Sequence, residues 1–127
     1  MVAQLNHTIV AARDKLESAT FLSEILGLPA PEPFGHFLVV ATGNGVSLDY
    51  AETADEIAGQ HYAFLITEED FDDVFARVQE REITYWPNPW PGNEGQINHN
   101  DGGRGFYFCD PSGHFLEVLT RPYGSGE

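Results

Sequence analysis

The chain has 127 residues, 42% hydrophobic and 13% aromatic, which is enough for one folded domain with a core of its own. Its 20 acidic and 6 basic residues give a net charge of −14, which repels phosphate backbones and anionic lipids and argues against nucleic-acid and membrane roles. No apolar run of roughly 18 residues and no signal-peptide pattern occurs, and the single cysteine excludes an internal disulfide, so we expect a cytoplasmic protein.

The first half of the chain predicts the element order β-α-β-β-β. Asp14 can cap the helix, and Gly27 can end it in a left-handed conformation. The next segment, residues 28–34, carries three prolines and must be a loop or an edge strand, because proline cannot donate to a sheet ladder. The remaining strands are predicted at residues 4–11, 37–42 and 46–51.

The second half repeats this order after a polar, acidic linker. Acidic residues at 68–70 favour a helix start, and residues 88–104 form a long loop rich in Gly, Pro and Asn. Strands are predicted at residues 60–67, 83–86, 105–109 and 114–120, and we expect a loose tail from Arg121 onward. The sequence thus predicts a single α+β domain of two βαβββ modules. The domain spans residues 1–127. The first module spans residues 1–51, the linker residues 52–59 and the second module residues 60–121.

Three side chains of metal-ligand type lie in apolar strand segments: His7, His61 and Glu117. Their intervals are 54 residues (61 − 7) and 56 residues (117 − 61), as a duplicated module would produce. A carboxylate buried without a partner costs roughly several kcal/mol, so Glu117 needs a metal, a base or a proton. Strand alternation leads us to expect all three on an inward, largely apolar face. Two imidazoles and one carboxylate can bind a divalent metal and leave positions open for a substrate.

Three segments of the chain resemble the vicinal oxygen chelate superfamily, which includes glyoxalase I, extradiol dioxygenases, fosfomycin-resistance thiol transferases and bleomycin-resistance proteins. They are Leu5-Asn6-His7, residues 60–64, and residues 105–118 with their aromatic strand and Asp-Pro-x-Gly turn. The resemblance implies two βαβββ modules whose curled, partly closed mixed sheet surrounds a central metal site, with the helices outside. It also implies His7, His61 and Glu117 as the metal ligands.

The identity of the metal stays open, because the same ligand set accepts iron, manganese, nickel, cobalt or zinc. Some members of the family add a carboxylate from the last strand of the first module. In this chain Ser47 and Asp49 share one face of that strand, and matching it to the family pattern puts Leu48 nearest the ligand position. We therefore expect three protein ligands, with Asp49 facing solvent. Small proteins of this family commonly dimerise, so we also expect a homodimer.

Five further residues are candidates for the site, each with an ordinary structural alternative. Tyr107 is either a proton donor or oxyanion partner, or packs as a core aromatic residue. His99, on the long loop, is either a mobile acid–base group or a surface histidine. Trp86 and Trp90 either line an aromatic substrate pocket or pack the loop down. Arg104 either holds an anionic group or forms a surface salt bridge.

The resemblance and the ligand set together predict a metal-dependent lyase, dioxygenase or transferase. Its substrate would be a small oxygenated molecule, aromatic or not, that chelates the metal. Fosfomycin modification is disfavoured, because a phosphonate needs a cationic pocket and Lys15 is the only lysine in the sequence. The alternative is a metal-free, bleomycin-resistance-type protein that sequesters an antibiotic. An acidic surface would suit a cationic drug.

Overall fold

Each half of the chain builds one four-stranded mixed sheet and one α-helix. The computed structural model describes residues 1–126, and the chain divides into one unit of residues 1–58 and a second that begins at Gly59. The fold is therefore α+β and consists of two βαβββ modules, as predicted. No helix among residues 1–126 is long and apolar enough to span a membrane.

The first module has a parallel strand pair at one end of its sheet and an edge strand at the other. Its elements are β1 (His7–Ala12), α1 (Lys15–Leu26), β2 (Glu32–Phe34), β3 (Phe37–Ala41) and β4 (Ser47–Glu52). The strand order is β1-β4-β3-β2, with β1 parallel to β4 and the other pairs antiparallel. The proline-rich segment forms β2 at the sheet edge, where Pro33 need not donate to a second neighbour.

The second module repeats this topology. Its elements are β5 (His61–Leu65), α2 (Glu68–Glu80), β6 (Tyr85–Trp86), β7 (Gly105–Cys109) and β8 (Phe115–Leu119), with a 3₁₀ turn at Asn100–Gly102. The strand order is β5-β8-β7-β6, and β5 is parallel to β8. The strand predicted at residues 83–86 is reduced to two residues, because the N–H of Ile83 still donates to the carbonyl of Val78 at the end of α2.

Both helices begin at a side-chain cap. The carboxylate of Asp14 accepts a hydrogen bond from the backbone N–H of Glu17 at 3.1 Å. The hydroxyl of Thr67 accepts one from the N–H of Asp70 at 3.0 Å. Gly27 ends α1 at φ 69°, a conformation that costs glycine little because it has no Cβ. Local sequence thus sets both starts and one of the two ends.

Each sheet packs one face on its helix. The opposite face, which we call the open face, carries no helix, although in the second module it still holds buried side chains such as Glu117. In the first module Val10 and Leu48 are buried, whereas Ile9 is 57% exposed. In the second module Phe71 and Phe106 pack edge to face with ring centroids 5.5 Å apart. The strand faces that carry His7 and His61 lie opposite the helices, and both histidines are exposed in the chain. Alternation decided which residues share a face, and helix packing decided which face is buried.

The C-terminal segment, residues 121–126, is held in place rather than loose. The backbone N–H groups of Gly124 and Gly126 donate to one carboxylate oxygen of Asp101, at 3.1 and 3.2 Å. The N–H of Ser125 donates to the carbonyl of Pro122 at 3.1 Å and closes a turn. Nothing in the periodicity of this segment predicted these contacts, because they depend on a side chain of the long loop.

Candidate metal centre

A row of four side chains crosses the open face of the second sheet. The strand registers pair Ala63 with Glu117, Glu117 with Tyr107, and Tyr107 with Trp86. Directly paired residues point to the same face of a sheet. His61 lies two residues before Ala63 on β5 and therefore shares that face. The register alone brings the second predicted histidine and the predicted carboxylate onto one surface.

The start of β8 is aligned with the start of β5 by a turn of fixed geometry. One carboxylate oxygen of Asp110 accepts hydrogen bonds from the backbone N–H of Ser112 at 3.0 Å and of His114 at 2.8 Å. The ring nitrogen Nδ1 of His114, which is buried, accepts from the N–H of Gln60 at 3.0 Å. This last bond joins the two strand starts, so that His61 and Glu117 come within reach of each other.

Glu117 is the centre of a hydrogen-bonded cluster. Its side chain is 1% exposed, and its Oε1 lies 3.0 Å from Nε2 of His61, which is 48% exposed. Its Oε2 accepts a hydrogen bond from the hydroxyl of Tyr123. The Tyr123 oxygen lies 2.9 Å from the hydroxyl oxygen of Tyr107. The carboxylate is thus buried with one imidazole and two phenols around it.

Both phenols of this cluster hold their protons firmly. Burial, the hydrogen bond to Tyr123 and the charge of Glu117 raise the pKa of Tyr107 well above its ordinary value. Burial and the hydrogen bond to Glu117 likewise raise the pKa of Tyr123. Both residues are therefore neutral hydrogen-bond donors near pH 7 and not phenolate bases.

The donor set fits a divalent cation. A buried carboxylate is costly without compensation, and a cation would supply it. An imidazole nitrogen beside a carboxylate oxygen is a pair that zinc, iron and related metals accept. Among residues 1–126, however, no group of three or more His, Cys, Asp or Glu side chains could hold a metal ion. The structure brings His61 and Glu117 together, and the third ligand stays a prediction.

His7 belongs to the first unit, where it lies exposed at the start of β1. Its Nδ1 is 2.7 Å from the side-chain oxygen of Asn6. Because an amide oxygen only accepts, Nδ1 is the donor in this contact, and Nε2 is the ring nitrogen left to bind a metal. This arrangement suits the role predicted for His7.

Asp49 lies on the same face of the first sheet as His7. The register pairs His7 with Ser47 and Ile9 with Asp49, whereas Leu48 is 4% exposed and faces the helix side. The hydroxyl of Ser47 donates to Asp49 at 2.9 Å, and Asp49 is half-buried. The prediction that Leu48 would lie nearest the ligand position was wrong, since Leu48 lies on the opposite face from His7. The face on which each β4 side chain lies depends on how β4 pairs with β1, and a match to a sequence pattern does not show this pairing.

The same open face of the first sheet borders a cleft of about 630 Å³. Apolar side chains from three strands line it, including Ile9, Phe34 and Val39, together with the polar groups of His7 and Asp49. Its lining contains no lysine or arginine among the described residues. Sequence reasoning missed this cleft because the strand pairings that bring Ile9, Phe34 and Val39 to one face are not visible in the sequence.

The tryptophans and the loop histidine lie in different surroundings. Trp86 is 5% exposed, and its indole N–H is buried without a hydrogen-bond partner among the described residues. Trp90 is 66% exposed, and His99 is exposed at the start of the 3₁₀ turn. Of these three, Trp86 alone shares the face of Glu117 through the strand registers.

Arg104 is engaged on the surface of α2. Its Nε donates to Glu68 at 2.8 Å, a second guanidinium nitrogen lies 2.9 Å from Asp72, and the guanidinium carbon lies 4.2 Å from the Phe71 ring centroid. These contacts match the surface salt bridge that was weighed as the alternative for this residue. The guanidinium group of Arg104 is therefore occupied by contacts with side chains of α2.

Comparisons with known proteins place this chain in a family. The family model described as Glyoxalase/Bleomycin resistance protein/Dioxygenase superfamily matches residues 4–118. A curated relative, glutathione transferase FosA of Serratia marcescens, is 32% identical over 124 residues, which cover 93% of this chain and 81% of that protein. The structure of oxidase ChaP-H2 superposes with a TM-score of 0.96 at 58% identity, over 100% of both chains. Oxidase ChaP-H1 superposes at 0.95 with 53% identity, over 97% of this chain and 99% of the other.

Proposed function

Because the chain belongs to the Glyoxalase/Bleomycin resistance protein/Dioxygenase superfamily, we propose that it is a metal-dependent enzyme acting on a small oxygenated molecule. His61 and Glu117 are the proposed ligands from the second unit, and His7 is the proposed third ligand. The observation that carries this proposal is the buried Glu117 carboxylate paired with an imidazole at 3.0 Å. Such a carboxylate is costly unless a cation or a donor compensates it.

A divalent metal bound there would polarise substrate oxygens and leave coordination positions open for them. The residues of this chain would do the remaining work. Tyr107 keeps its proton, which it donates to Tyr123 in the structure, and a substrate oxygen with developing charge could take over that hydrogen bond. The buried indole N–H of Trp86, on the same sheet face, is a second donor whose partner a substrate oxygen could supply.

The cleft of the first unit supports an apolar, aromatic substrate. Phe34 and Ile9 offer ring and aliphatic surface, and Asp49 adds negative charge, with no lysine or arginine in the described lining. A phosphonate would meet no countercharge there. We therefore favour an oxidase or dioxygenase type of reaction over transfer of a thiol to fosfomycin, in line with 58% identity to an oxidase and 32% to a glutathione transferase.

We further propose that the protein works as a homodimer in the cytoplasm. Exposed apolar side chains on the open sheet faces, such as Ile9 at 57% and Leu65 at 62%, would be covered by a second copy. His7 then comes either from the same chain as His61 or from the partner.

Metal content tests the proposal. We expect wild-type protein purified without added metal to contain close to one divalent metal per site, and His61→Ala to have lost it. His36→Ala is the matched control, since His36 is an exposed histidine stacked on Phe37. Equal metal content in the wild-type and His61→Ala proteins would contradict the proposed metal centre. Metal-free protein that binds a hydrophobic cationic drug tightly would favour sequestration instead.

Mixing two metal-free variants distinguishes a shared site from one within a single chain. A heterodimer of His7→Ala and His61→Ala contains one intact pair of these histidines if each site takes one residue from each subunit. It contains none if both come from one chain. Metal recovered after the subunits are mixed and exchanged therefore indicates a shared site.

A further inference from the structure

The C-terminal segment ends in a contact that the proposed function does not use. Tyr123 reaches the buried carboxylate of Glu117 from a stretch of chain beyond the last strand. The role of this contact depends on the proposed metal site.

Besides Tyr123, the segment is anchored by Asp101 and by its own turn. Asp101 has φ 56°, a left-handed conformation uncommon for a residue with a side chain, and its carboxylate accepts from Gly124 and Gly126. A Cβ placed on Gly126 would overlap the carbonyl group of Asp101. This close approach, with the turn between Pro122 and Ser125, places the Tyr123 hydroxyl over the open sheet face.

The direction of the hydrogen bonds in this cluster follows from counting protons. An ionised carboxylate only accepts, so Tyr123 donates its single hydroxyl proton to Oε2 of Glu117. The hydroxyl of Tyr107, 2.9 Å away, must then donate to the Tyr123 oxygen. The chain of donors runs from Tyr107 through Tyr123 to Glu117, and Oε1 is left facing His61.

We propose that Tyr123 is a positioning residue of the metal centre: by holding Oε2, it makes Glu117 present only Oε1 to the metal. Asp101 acts one step further out, because it holds the segment from which Tyr123 projects. Hydrogen-bond partners of metal ligands orient them and raise their affinity, and removal of such a partner typically costs roughly 10- to 100-fold in metal binding.

The test uses Co²⁺ as the probe metal and the full-length chain. Its dissociation constant is measured by competition with a chelator for the wild type, Tyr123→Phe, Asp101→Ala and the double variant. Tyr85→Phe is the matched control, because the Tyr85 ring packs on Phe75 and Phe106 at the helix side of the sheet. Visible absorption of the bound Co²⁺ reports the arrangement of its ligands, which a purely structural role of Tyr123 would not change.

We expect Tyr123→Phe to raise the Co²⁺ dissociation constant about 10-fold or more and to alter the Co²⁺ spectrum, whereas Tyr85→Phe changes neither. Asp101→Ala should have a smaller effect that disappears when Tyr123 is already Phe, since the two act in series. His61-dependent binding with the same affinity and spectrum in Tyr123→Phe would overturn this role alone. Absence of His61-dependent binding in the wild type would overturn the metal centre, and the role of Tyr123 with it.

Discussion

The two modules have the same strand register and treat the equivalent carboxylate differently. Asp49 pairs with Ile9 in the first module as Glu117 pairs with Ala63 in the second, and a histidine lies two residues earlier on each first strand. Glu117 is nevertheless 1% exposed and Asp49 half-buried. Duplicated backbone geometry therefore supplies two similar positions and does not decide which of them becomes a buried acid.

The neighbours on the adjacent strands explain this difference. Beside Glu117 the register places Tyr107, whose hydroxyl joins the cluster with Tyr123. Beside Asp49 it places Val39, and Ser47 is the hydrogen-bond partner of the carboxylate. One module thus surrounds its carboxylate with donors, whereas the other leaves it at the border of an open cleft.

The sharpest test of this contrast removes each charge in turn. We expect Glu117→Gln to weaken divalent metal binding by more than about 100-fold, which exceeds the range for residues that only support a ligand. Asp49→Asn should weaken it by less than about 10-fold. Chelator competition measures both. Equal losses would mean that Asp49 is a fourth ligand, and that the two modules contribute alike.

A second test concerns the cleft of the first module. Phe34→Ala should weaken binding of a hydroxylated aromatic ligand by about 10-fold, or 1.4 kcal/mol, and leave metal content unchanged. Leu65→Ala, at an exposed apolar position of the second module, is the control. Calorimetric titration with a panel of such ligands gives the comparison. If Leu65→Ala alone weakens binding, the substrate does not use this cleft.

The helix caps offer a comparison in which the modules should agree. Asp14→Ala and Thr67→Ala each remove a side-chain acceptor from a helix start, and each should lower the free energy of unfolding by about 1 kcal/mol. Urea denaturation followed by circular dichroism measures both variants. A loss in only one of them would mean that one helix is held by packing alone.

The smallest expected effect lies at Arg104. Arg104→Ala removes two exposed ion pairs and a contact with the Phe71 ring, so the free energy of unfolding should fall by up to about 1 kcal/mol. Ligand binding and metal affinity should not change. A large loss of ligand affinity without a loss of stability would restore Arg104 as a substrate-binding residue.

Much of the fold followed from the sequence because its signals are local. Turn glycines, proline positions and apolar alternation predicted the βαβββ order twice, and Asp14 was identified as a cap. The pairing of His61 with Glu117 was also within reach, since both lie in apolar strand segments of one repeat. Which face of each sheet is buried could not be predicted from the sequence, because packing of the helix determines it.

The sequence by itself determined the two modules, the candidate ligands and the acidic character of the chain, since each is written in residue type and spacing. Only the tertiary structure decided that Asp49 and not Leu48 shares the face of His7, and that Arg104 is committed to α2. It alone brought Tyr123 to Glu117. Such contacts depend on register and on segments far apart in the chain, and no local pattern of residues encodes either.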